Sequence, residues 1–199
     1  MHCSSSADAL PPPVIGRAAL SAAFTGLLLF AAAALADDSG FIIEEAQTSL
    51  VDGVHRLNAR IALRFSPEAI EAMENGVGMT VAVQSEVLAI KPVLDRTVAR
   101  VDARYRIQVH ALSRQFTLRN LSTGEASSYR DLEEMSRALG DIQDFPLLDD
   151  HVLDADQRYR VRVRAVLEIE SLPTPLRLAA YFKSAWRLSS DWLSWPLQR

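Results

Sequence analysis

From Arg158 to Ile169 the chain sorts its residues into two classes: Tyr159, Val161, Val163, Ala165, Leu167 and Ile169 are apolar, and Arg158, Arg160, Arg162 and Arg164 alternate with them. An extended strand, whose successive side chains point to opposite faces, separates such a pattern into one apolar and one cationic surface. A helix would spread both classes around its circumference. Four further segments read as strands. Phe41-Ile42-Ile43 opens a short first one, and Leu57, Ala59, Ile61, Leu63 and Phe65 mark the second. Met79, Val81, Val83 and Val87 mark the third, with Ser85 interrupting, and Val101, Ala103, Tyr105, Ile107 and Val109 the fourth. Gln115 to Leu121 adds another strand, running into a Ser122-Thr123-Gly124 turn. Two short helices are expected among these strands. Ser66 can cap the first, with Pro67 at its opening position and Gly76 closing it. Ser128 caps the second with Asp131 three residues on, and Leu132, Met135 and Leu139 form its apolar stripe before Gly140. The stretch 176–195 fits either period. Strand following strand with few helices between predicts a mainly β chain: an antiparallel β-sandwich-like domain with two short helices.

The first 36 residues follow another logic. No charge occurs between Ala18 and Ala36, Arg17 precedes the run, and Ala34-Leu35-Ala36 leads into Asp37. A positive residue, an apolar stretch and small residues at a cleavage point make a signal peptide over 1–36, cut after Ala36. Residues 37–199 are then a single β-rich periplasmic domain. The alternative is an uncleaved inner-membrane anchor, since about 19 uncharged residues approach a bilayer span. In that case the leader supplies the membrane contact. Cys3 is the only cysteine, so residues 37–199 hold no disulfide, thiol nucleophile or cysteine-ligated metal. The net charge of −4 gives no bulk attraction to nucleic acid.

Three features carry candidate function. The first is the arginines: Arg158, Arg160, Arg162 and Arg164 share one strand face, as do Arg104 and Arg106, and Arg56, Arg60 and Arg64 share another. Strands that neighbour one another would join these into a guanidinium grid. Like charges opposite each other cost a few tenths to about 1 kcal/mol per pair, so the grid requires acidic neighbours or an anionic partner. Glu44, Glu45, Glu86, Glu168 and Glu170 are available for internal pairing. The second is the aromatic tail, where Trp186, Trp192 and Trp195 are either a binding surface, an interfacial belt or part of the core. The third is the acidic stretch of Asp141, Asp144, Asp149, Asp150, Asp154 and Asp156, expected as a loop. It lacks the spacing of a calcium loop, and the aspartates suit turns equally well. No motif for a nucleophile, a metal or a phosphate cofactor is present, so no cofactor is expected; a hydrolase would be built around His110 or His151.

Two stretches, RYRIQVHALSRQFTLRNLSTGE (104–125) and LPTPLRLAAYFKSAWRLSSDWLSWPL (172–197), resemble an uncharacterised family of exported proteobacterial proteins, the domain-of-unknown-function family numbered four-three-nine-zero. The resemblance runs through essentially all of 37–199 and brings no activity with it. It implies one candidate partner, a membrane sensor kinase of the nitrogen-regulation type, whose genes often neighbour those of the family. The functional expectation is a non-enzymatic periplasmic domain that binds another envelope protein, with a binder of an anionic small molecule, lipid or envelope polymer as the alternative.

Overall fold

The computed structural model describes residues 39–110 and 112–198. The leader and its cleavage residues Ala34, Ala36 and Asp37 lie outside the described residues. Among the described residues nine strands form two sheets in which every neighbouring pair runs antiparallel. The smaller sheet has the order β1 (Gly40–Val51), β2 (Val54–Arg64), β7 (Asp141–Asp149). The larger one runs β6 (Ala126–Tyr129), β5 (Phe116–Asn120), β4 (Arg96–Val109), β3 (Met79–Ala89), β8 (Tyr159–Leu167), β9 (Leu193–Pro196). The helices are α1 (Pro67–Glu74), α2 (Leu132–Gly140) and α3 (Thr174–Phe182).

The alternating residues face the core as their period requires. Leu57, Ala59, Ile61, Leu63 and Phe65 are buried, as are Tyr159, Val161, Val163, Ala165 and Leu167 of β8. They join the inward residues of β3 in one continuous apolar cluster. Strand β3 is central to the larger sheet, between β4 and β8, and is buried on both faces; that is why Ser85 on one side and Thr80, Ala82, Glu86 and Leu88 on the other are also covered.

Four local expectations are revised. Strand β1 is long, not short: its apolar signal stops after Ile43, where the ladder shifts register between Ile43 and Glu45, but pairing with β2 continues to Val51. The expected acidic loop is in large part strand β7, an edge strand, where Pro146 costs no shared ladder bond on its open side. The cap of α2 is Asp131, whose Oδ1 accepts from the Glu134 N–H at 2.8 Å, while Ser128 belongs to β6. Glu134 reaches back to the Arg130 N–H at 3.1 Å, so the reciprocal cap lies three residues later than expected. The tail, open between two periods, uses both: it forms a third helix, α3, and then a short strand, β9.

Helix α2 runs into β7 without a loop, and Gly140 makes this possible. A Cβ there would lie 2.0 Å from the Ile61 carbonyl oxygen, so the helix end packs directly on the backbone of β2.

Candidate functional site

The pairing register decides what the arginines do. On β3, Glu86 stands between Arg100 of β4 and Arg162 of β8, and Gln84 stands between Asp102 and Arg164. These residues share the outer face of the six-stranded sheet with Arg104 and Arg106. Arg104, Arg106 and the β8 arginines therefore lie on one face but on strands separated by β3. The arginines of β2 lie in the other sheet: Arg60 meets Glu45 at 3.5 Å, and Arg56 donates to the Asp144 carbonyl at 3.2 Å.

Glu86 anchors the face. Its side chain is 0% exposed, although it points away from the core, because two guanidiniums fold over it. Arg100 donates through Nε and Nη2 to Oε1, and Arg162 through Nε at 2.7 Å to Oε2, with its Nη2 2.5 Å from the same oxygen. Burial alone would raise the Glu86 pKa, but the hydrogen bonds and charges of Arg100 and Arg162 outweigh it and hold the carboxyl below its ordinary value of 4.5. Arg160 meets Asp95 at 3.3 Å, Arg104 meets Glu168 at 2.8 Å and Asp102 at 3.7 Å, and Arg164 donates to Gln84 at 2.8 Å. The guanidiniums of Arg162 and Arg164 both lie over the Trp192 ring, 4.5 and 4.6 Å from its centroid. Trp192 thus packs against the sheet face as a platform for two cations.

Further along the face this compensation stops. Arg106 pairs across the ladder with Arg119, so like charges stand directly opposite each other. Among the described residues neither has a carboxylate partner: Arg119 donates to the Gly124 carbonyl at 3.3 Å, and the Arg106 guanidinium lies over Gly78, within 2.9 Å of where a Cβ would be. Beyond them Gln108, His110, Thr117 and Arg119 line a shallow depression of about 320 Å³. Arg119 escaped the sequence reading, since periodicity gives a strand's faces but not its neighbours.

The remaining candidates separate. Trp186 is buried, and Trp195 donates from Nε1 to Thr48 Oγ1 at 3.2 Å, linking β9 to β1 across the two sheets. His151 is exposed in a short turn after β7. The aspartates are strung along β7 and the turns that follow, and no group of three or more potential ligands converges on a metal position among the described residues. The histidine with a carboxylate partner is one not singled out beforehand: His55, fully buried, has Nε2 2.9 Å from Asp150 Oδ1. Its Nδ1 has no hydrogen-bond partner among the described residues and lies in the core, away from solvent. A depression of about 920 Å³ beside α2 and the first two strands is lined by Glu44, Arg60, Tyr129, Glu133 and Arg137 among others. Glu133 and Arg137 neutralise each other at 2.7 Å, and neither a histidine nor a cysteine lines it.

No curated protein and no solved structure matches the chain. Residues 38–196 match the family described as Domain of unknown function (DUF4390), for which no enzymatic activity is indicated. The match spans both sheets, the arginine face and the tail, and the chain belongs to this family.

Proposed function

We propose that this protein is a non-enzymatic interaction domain of the bacterial cell envelope that docks an acidic surface of another envelope protein on the outer face of its six-stranded sheet. One observation carries the reading: Arg106 stands opposite Arg119 without a carboxylate, on a face where Arg100, Arg104, Arg160 and Arg162 are matched to Glu86, Asp95, Asp102 or Glu168 and Arg164 is held by Gln84 and the Trp192 ring. An uncompensated cationic pair costs stability in the free protein, and an acidic partner relieves it. The envelope address rests on the leader pattern, and a membrane sensor kinase is the first partner to test on the family resemblance.

The test belongs at the unmatched pair. Reversal at Arg162 would set a carboxylate against buried Glu86 and measure folding instead. The variant Arg106→Glu with Arg119→Glu is expected to abolish crosslinking to the partner in intact cells while the thermal midpoint stays close to wild type. Undiminished capture would overturn the reading. The depression at Gln108, His110, Thr117 and Arg119 favours a second one, in which the face holds a small anion. Stabilisation by millimolar phosphate or anionic wall fragments in a thermal-shift screen supports that alternative, and its absence dismisses it.

A further inference from the structure

Helix α3 is inverted relative to an ordinary surface helix. Leu178, Tyr181 and Phe182 fall at positions i, i+3 and i+4, on one stripe, and are 61%, 47% and 87% exposed. The helix is held by its other side, where Ala180 is fully buried, together with Leu172 just before the helix. Cations border the stripe: Arg177 is fixed to the Glu170 carbonyl and to Thr174 Oγ1, Lys183 is exposed, and Arg187 donates to the Tyr181 carbonyl at 3.0 Å. Leucine and aromatics on one side with lysine and arginine at the rim are the composition of helices that lie in the headgroup region of a bilayer. A solvated stripe of this kind is otherwise an aggregation hazard.

Helix α1 packs on the turn Ser184–Trp186 that follows α3, and α1 continues from the end of β2 that pairs Arg64 with Gly40. Strand β1 therefore begins at the end of the domain that carries α3. Acidic residues also stand at this end, Glu68, Glu71 and Glu74 on α1 and exposed Glu170 just before α3, while from Thr174 to Leu188 the charged residues are Arg177, Lys183 and Arg187, all cationic.

We infer that α3 is a membrane-contact element, whose Leu178–Tyr181–Phe182 stripe dips into the interface of an anionic bilayer while Lys183 and Arg187 meet the lipid headgroups. This site lies apart from the arginine face and does not depend on the docking reading.

Full-length chain in a Cys3→Ser background, carrying an environment-sensitive fluorophore on a cysteine at Leu178, is mixed with vesicles of phosphatidylglycerol and phosphatidylcholine containing doxyl-labelled lipid. The same label at Val93 is the control, since Val93 is 97% exposed on the β3–β4 loop at the opposite end of the large sheet. Quenching several-fold stronger at 178 than at 93, reduced by Tyr181→Ser with Phe182→Ser and by Lys183→Gln with Arg187→Gln, is the expected result. Equal quenching at both positions, or none at 178, overturns the inference. A blue shift at 178 that grows with protein concentration in the absence of lipid also overturns it and assigns the stripe to a second copy of the chain.

Discussion

Glu86 shows how a carboxylate can be fully covered on the outside of a sheet. Its desolvation is offset by two arginines that keep part of their own surface in water, Arg100 at 65% and Arg162 at 35% side-chain exposure. Removing the charge leaves two guanidiniums that can turn to solvent. Glu86→Gln should therefore cost about 2 kcal/mol, less than the loss of one partner from a fully buried pair. The pH dependence follows from the direction of the shift. A carboxyl whose folded pKa lies below its unfolded value contributes fully above about pH 4.5 and loses that contribution as pH falls through the folded value. Thermal midpoints of wild type and Glu86→Gln should differ by a constant amount at neutral pH and converge under strong acid. A gap that persists unchanged into acid would show that Glu86 matters through its shape and not its charge.

At the scale of elements, two substitutions separate competing accounts of α2. Asp131→Ala should cost about 1 kcal/mol and Ser128→Ala almost nothing, because the side chain that accepts the helix N–H is that of Asp131. Denaturant midpoints check this, and the reverse ranking would restore the earlier cap. Gly140→Ala sets a Cβ against the Ile61 carbonyl, where backbone on both sides leaves little room to yield; a loss of about 3 kcal/mol or failure to fold is expected, read from melting and soluble yield. A near-neutral Gly140→Ala would mean that the helix and β2 are further apart. These elements also mark where the sequence was legible. Strands with one wet and one dry face, β2, β4 and β8, announce themselves by alternation. Edge strands do not: β1 past Ile43 and β7 bury too little side chain to impose a period, and their aspartates and glutamates resemble a loop. The tail was ambiguous because α3 leaves leucine and phenylalanine on its wet side, which defeats any rule that equates apolar with inward.

The molecule as a whole is mildly acidic, yet it concentrates guanidiniums on one sheet face. Which arginines share one strand's face was readable from the strand periods; which strands join in one sheet, and which arginines are compensated there, was not, because both depend on β3 lying between β4 and β8 and on β5 setting Arg119 against Arg106. The face should act through charge, so partner capture should weaken as ionic strength rises and the Debye length shrinks from about 10 Å at 0.1 M to about 3 Å at 1 M. The most direct measurement uses a photo-crosslinking amino acid in living cells, installed at Gln108 on the arginine face and, in a second strain, at Gln47 on β1 in the other sheet. A single acidic envelope protein attached from position 108, lost in the Arg106→Glu, Arg119→Glu background and absent from position 47, is the predicted result. The same adducts from both positions, or an adduct at 108 that survives the double reversal, would contradict an interaction face built on the unmatched arginines.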